Sequence, residues 1–128
     1  MSDWEWIGSA VAVSIHDRQL AEYGGPAGLR NAAGLKSALA RPLNLCAYGE
    51  PDMAELAAAY AVGIARNHPF VDGNKRTAWV IARTFIRLNG GKLRFEEVDA
   101  IGTMLALAAG DLDEETLADW FRARMSTS

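Results

Sequence analysis

His68-Pro-Phe-Val-Asp-Gly-Asn-Lys-Arg76, HPFVDGNKR in one-letter code, sets an imidazole, a carboxylate, an amide and two cations around one glycine. What flanks it decides the fold. On its N-terminal side Met53, Leu56, Ala57, Tyr60, Ala61, Ile64 and Ala65 recur at helical spacing. Asp52 serves as N-cap there, and Glu55 three residues on completes a capping box. This helix is predicted to be central and to stop near His68, because Pro69 disfavours helical geometry in the residue before it. On the C-terminal side a helix starting at Gly73 or Asn74 buries Ala78, Ile81, Ala82, Phe85 and Ile86 and ends at Asn89-Gly90-Gly91. The quoted stretch is therefore a turn that feeds one helix into the next.

Outward from this pair the pattern stays helical. Ser9 to about Tyr23 reads as a helix closed by Gly24-Gly25-Pro26, with His16 on the same face as Val13 and Leu20, the place of a packed, structural histidine. A short helix from Ala32 or Ala33 to Arg41 is expected to stop at Pro42. Residues 42–51, PLNLCAYGEP, read as a loop. Lys92 to Phe95 is a short extended piece with no obvious partner strand. Two more helices follow, over about 96–109 and 113–125, with a frayed end at Ser126 to Ser128. The expectation is an all-α fold: one domain over residues 1–128, a compact bundle of about five to six helices.

Bulk properties narrow the function. Thirteen basic against sixteen acidic residues leave a formal charge of -3, which disfavours a nucleic-acid reader working by blanket phosphate neutralisation. The lone Cys46 can form no internal disulfide and suggests no zinc or redox motif, so a reducing, cytoplasmic setting fits. No basic region with an apolar run opens the chain, and no segment is long and apolar enough to span a bilayer.

The chemistry concentrates in the turn. The first backbone N–H groups of a helix lack intrahelical acceptors and seat anions well. Gly73 permits close approach of a phosphate, and Lys75 and Arg76 add positive charge where the helix end alone does not favour it. Asp72 offers the hard oxygen ligand that Mg²⁺ takes beside phosphates, and Asn74 can donate to a phosphate oxygen. His68 is placed to take a proton from an attacking hydroxyl, while Phe70 reads as the apolar pin of the loop. Chemistry alone leaves two readings open, a phosphate or nucleotide site and an ordinary capped helix start followed by surface cations.

The stretch resembles the signature of the Fic/Doc superfamily: His, any residue, Phe, any residue, Asp or Glu, Gly or Ala, Asn, then a basic tail. His68, Phe70, Asp72, Gly73, Asn74 and Arg76 match it, and HDRQLAEYGG at 16–25, SALARP at 37–42 and residues 56–78 resemble the death-on-curing branch, toxins of type II toxin–antitoxin modules. Lys75 and Trp79 depart from adenylyl-transferring members, which have Gly and a second Arg there. The death-on-curing pattern carries Asn-Lys-Arg, as here. The resemblance implies a protein kinase that binds ATP with Mg²⁺ in the reversed orientation and passes the γ-phosphate to a threonine of elongation factor Tu, stopping translation.

It also implies roles: His68 as general base, Asp72 as metal ligand, Gly73 and Asn74 binding the transferring phosphate, Lys75 and Arg76 neutralising its charge. Self-restrained members use a helix with Ser or Thr, three residues and Glu. No Ser or Thr here has Glu four residues later, so restraint falls to a Phd-like antitoxin in trans, with Leu43, Leu45 and Tyr48 as a candidate docking wall or simply a cover for the core. Lys36 reverses a charge relative to the usual pattern. Trp4, Trp6, Trp79 and Trp120 read mainly as core, with Trp79 also placed to flank a base or a target peptide. Two rivals remain: an AMP transferase on the same fold, and a non-catalytic binding protein.

Overall fold

The structure, a computed structural model, describes residues 3–127. It contains α1 (Ser9–Tyr23), α2 (Ala32–Tyr48), α3 (Met53–Asn67), α4 (Asn74–Leu88), β1 (Gly91–Leu93), α5 (Glu97–Ala108), α6 (Glu114–Arg124) and β2 (Met125–Thr127). The fold is the expected helical bundle, closed by one small ladder. Among the described residues no helix is long and apolar enough to cross a membrane.

The centre is α3. Every residue from Met53 to Ala65 except Glu55 is buried, because this helix is enclosed by α2, α4 and α6. Its many alanines, with Gly63, let neighbouring backbones come close; a Cβ on Gly63 would lie 3.0 Å from Ala38 Cα. The expected capping box is present, Asp52 accepting from Glu55 N–H at 2.9 Å and Glu55 accepting from Asp52 N–H at 3.2 Å. Arg122 of α6 also donates to Asp52 at 2.7 Å and holds that carboxyl below the usual carboxylate range. At the core, the Tyr60 hydroxyl accepts from Ile7 N–H at 2.9 Å and anchors the segment before α1.

Two sequence expectations are corrected. The helix α2 does not stop at Pro42 but runs on to Tyr48, and the expected loop at 42–51 shrinks to the residues around Gly49–Pro51. Pro42 removes one amide donor and crowds the preceding turn, at an intrinsic cost of about 3 kcal/mol. Leu35, Ala38, Leu39 and Pro42 nonetheless form one buried stripe, and Leu45 and Cys46 continue it against the core. Apolar burial on both sides of the proline offsets its cost.

The second correction concerns the extended piece. It does have a partner: β1 pairs antiparallel with β2, in the register Gly91 with Thr127 and Leu93 with Met125, and Arg94 N–H donates to Arg124 O at 2.8 Å just beyond. Ser126 and Thr127 belong to this ladder rather than to a frayed end, and Ser128 lies outside the described residues. Met-Ser-Thr carries little strand signal, and its partner is some thirty residues upstream, so no local pattern could reveal the pairing.

Candidate active site

The candidate site is the turn between α3 and α4, and its shape begins with the way α3 ends. His68 sits at φ 45°, ψ 55°, and it alone among the described non-glycine residues has positive φ. A left-handed conformation outside glycine costs about 1 to 2 kcal/mol. The rest of the structure therefore has to hold it there, as is common at functional loops.

The holding groups come from residues 16–31. Pro69 O accepts from Arg30 N–H at 2.7 Å and from Asn31 N–H at 2.9 Å, and Val71 N–H donates to Gly28 O at 3.0 Å. The Arg30 guanidinium donates to His68 O at 3.2 Å. His16, buried in α1, stacks on Phe70 with ring centroids 3.8 Å apart, and its Nε2 lies 2.7 Å from Asp72 O. Gly25, at φ 116°, passes so near Asp72 that a Cβ there would lie 2.8 Å from its Oδ2. Phe70 is the buried pin expected of it.

Within the turn, Asn74 is committed to the loop. Its Oδ1 accepts from Phe70 N–H at 3.0 Å and its Nδ2 donates to Phe70 O at 2.9 Å. The amide that the sequence pointed at a phosphate oxygen thus closes the turn, and Asn74 keeps its backbone N–H for a ligand. Among the described residues no acceptor meets the N–H of Gly73, Asn74, Lys75 or Arg76. The first bonded amide of α4 is that of Thr77, to Gly73 O at 2.9 Å. Gly73, at φ 77°, is the N-cap and adopts the left-handed geometry for which glycine is suited.

The charged side chains part into two groups. His68 and Asp72 are exposed on the turn. Lys75 and Arg76 instead border a cleft of about 780 Å³ between α1, α4 and α5, with Arg76 4.5 Å from the centroid of the Tyr23 ring. Deeper in this cleft, Arg83 lies 5.4 Å from the rings of both Trp79 and Phe95. Burial and the like charge of Arg87 lower its affinity for its proton, and it forms no ion pair among the described residues. Trp79 packs edge-on to Phe95 at 5.1 Å and also lines the cleft.

The cleft, Arg83 and the contribution of α5 were not legible, because α5 carries no motif and approaches α4 only through the tertiary fold. The residues of the candidate docking wall lie on α2: Leu43 and Tyr48 are exposed, Leu45 packs on the core, and none of the three lines this cleft.

No cluster of three or more His, Cys, Asp or Glu side chains is placed to hold a metal among the described residues. Asp72 is a lone exposed carboxylate beside an anion seat. That donor set suits Mg²⁺, which is commonly bound through one or two carboxylates together with substrate phosphates.

This tethered turn carries the HPFVDGNKR stretch, and the Fic/DOC family model matches residues 6–86. The chain belongs to the Fic/DOC family. Its relatives include a protein named Protein kinase doc from Escherichia phage P1, 32% identical over 111 residues that cover 86% of this chain and 87% of that protein. Toxin Doc from Mycolicibacterium smegmatis is 41% identical over 101 residues, covering 75% of this chain and 77% of its own. The match to the Fic/DOC model begins before α1 and ends within α4, so it contains both the turn and the residues that tether it.

Proposed function

We propose that this chain is a Doc-type toxin kinase that transfers the γ-phosphate of ATP to a hydroxyl of a protein target, a threonine of elongation factor Tu, and so inhibits translation. The observation that carries this is the run of unpaired backbone N–H groups from Gly73 to Arg76, bordered by Lys75 and preceded by an exposed His68. The likeness to a relative named a protein kinase over most of both chains supports phosphoryl rather than nucleotidyl transfer. Lys75 supports it too, since a long cation suits a terminal phosphate carrying spread charge.

In this mechanism the amides of Gly73 and Asn74 hold the transferring phosphoryl group, and Lys75 and Arg76 offset the charge that develops on its equatorial oxygens. His68 takes the proton of the target hydroxyl as that oxygen bonds to the γ-phosphorus; the bond from phosphorus to the β,γ-bridging oxygen breaks, and ADP leaves. Asp72 would hold Mg²⁺, which supplies charge neutralisation on the phosphates when bound. The cleft beside Lys75, with Trp79, Phe95 and Arg83, is suited to the base of the nucleotide or to a segment of the target. Restraint comes from a Phd-like antitoxin in trans.

ATP labelled separately at its α- and γ-phosphates, with elongation factor Tu and a cell extract as acceptors, tests the proposal. Label transferred from the γ-position by the wild type and not by His68→Ala is the expected result. Transfer from the α-position makes the protein a nucleotidyl transferase and overturns it.

A further inference from the structure

His16 was expected only to pack, yet it makes one directed polar contact. A carbonyl oxygen only accepts, so the Nε2 that lies 2.7 Å from Asp72 O must carry the hydrogen and donate. The peptide joining Asp72 to Gly73 is trans and planar, so its carbonyl and its N–H point in opposite directions. Anchoring the carbonyl on His16 therefore turns the Gly73 N–H away from α1. That N–H is one of those left without an acceptor.

Free rotation of this peptide is otherwise easy, because Gly73 at φ 77° has no side chain to resist it. The His16 ring is itself fixed, stacked nearly parallel to Phe70 at an interplanar angle of 6° and almost wholly buried. Its other nitrogen, Nδ1, makes no hydrogen bond among the described residues; the carboxylate of exposed Asp17 is 4.0 Å away. The donor thus has a single target.

We propose that His16 is a positioning residue that aims the Gly73 N–H into the anion seat by holding the carbonyl of the same peptide. The proposal rests on the kinase reading for its consequence in turnover, and on the seat alone for its consequence in binding. His16 acts through the backbone and touches no substrate. Preorganised donors are valuable because they need not reorient during reaction, and losing one typically costs on the order of 10²- to 10³-fold in kcat. A donor left in place but free to swing falls below that, at about 10- to 100-fold.

Two substitutions split the side chain's functions. His16→Phe keeps the stack on Phe70 and loses the donor, whereas His16→Gln keeps an amide donor near Nε2 and loses the stack. A merely structural role ranks the Phe variant above the Gln variant in both stability and turnover. Positioning reverses the order for turnover: the Phe variant melts closer to the wild type but falls about 10- to 100-fold in kcat, and the Gln variant stays within about tenfold. If the Phe variant does not fold, His16→Met fills the pocket without a donor and takes its place.

The second readout is the backbone amide spectrum during titration with ATP. In the wild type and the Gln variant the Gly73 resonance moves on binding, and in the Phe variant its response is lost or much reduced. Should neither ATP label be transferred while this pattern holds, the kinase reading falls and the positioning of Gly73 stands. A Phe variant with wild-type kcat and a wild-type Gly73 response overturns the positioning role and leaves the kinase reading intact. A Gly73 resonance unmoved by ATP in the wild type also overturns it.

Discussion

Residues 68–73 and residues 42–51 hold similar helix breakers, a proline early and a glycine later, and they end up as opposites. The first is a true turn with almost every peptide tied to a distant segment; the second is mostly the last two turns of α2. The difference lies in what each stretch can bury. Leu39, Pro42 and Leu45 lie on one face and find α3, so helix continues through the proline. In the turn only Pro69 and Phe70 go inward, side by side, while His68, Val71, Asp72, Lys75 and Arg76 stay exposed, and no apolar face at helical spacing rewards helical geometry. Breaker residues weight the local choice, and apolar burial decides it.

The largest effect expected from breaking this contrast is on chemistry. His68→Ala removes the one imidazole exposed on the turn and should lower phosphoryl transfer by about 10²- to 10⁴-fold, the usual worth of a general base. The fold should survive, because His68 is exposed and makes no side-chain hydrogen bond among the described residues. Comparing circular dichroism with γ-label transfer checks both halves. A folded variant with full transfer removes His68 from the mechanism.

Next comes the packing that carries α2 past its proline. At Gly63 a Cβ would meet Ala38 Cα at 3.0 Å, Ala38 Cβ at 3.1 Å and Ala38 O at 3.2 Å, mostly backbone with little room to give. Gly63→Ala gains helix propensity of about 1 kcal/mol but overpacks the α2–α3 contact by about 1 to 3 kcal/mol. A net loss of up to about 2 kcal/mol is expected, read from the midpoint of urea unfolding. An unchanged midpoint would mean that α2 can withdraw, and that its hold on α3 does not explain why Pro42 is tolerated.

These contrasts show which parts of the molecule the sequence could disclose. Short-range signals were legible: the capping box at Asp52 and Glu55, the periodic face of α3, and a nine-residue motif specific enough to name a family. Contacts between remote segments were not. His16 could be placed on an inner helical face, but its bond to Asp72 O spans 56 positions. Gly25 against Asp72, Arg83 between Trp79 and Phe95, and β2 alongside β1 all depend in the same way on where the chain returns. Asn74 was expected to donate its side-chain amide to a phosphate, but that amide closes the loop on Phe70.

A smaller effect attaches to Asp52, where a cap starts a helix as read. Its pKa is lowered chiefly by the hydrogen bond from Arg122 and also by its own cap bonds. A carboxyl depressed in the folded state contributes stability that is present above the unfolded value of about 4 and is lost as pH falls through the folded one. The carboxylate is about half exposed, 47% for its side chain, so the ion pair itself is worth less than about 1 kcal/mol. Asp52→Ala should cost about 1 to 2 kcal/mol at neutral pH through the lost cap. Asp52→Asn keeps a cap and should cost less while flattening the decline in stability between about pH 5 and pH 3. An unchanged acid limb in the Asn variant would assign that decline to other carboxylates.

The smallest effect settles the proline. If 42–51 were a loop, Pro42 would stiffen it, and Pro42→Ala would destabilise the protein by about 0.4 to 1 kcal/mol through a freer unfolded chain. In the helix the same change restores an amide donor to Ala38 O and removes a clash, a gain of about 3 kcal/mol in propensity. Against this stand the buried ring methylenes, about 0.8 kcal/mol each, and the cavity that their loss leaves among Leu35, Leu39 and Leu45. These terms nearly cancel, and the expected result is a stability unchanged or raised by up to about 1 kcal/mol. The sign carries the information: a rise means that α2 forms despite Pro42, held by burial against α3. A fall beyond the loss of the ring's burial would mean that the proline itself shapes α2, and that the contrast with residues 68–73 has another cause.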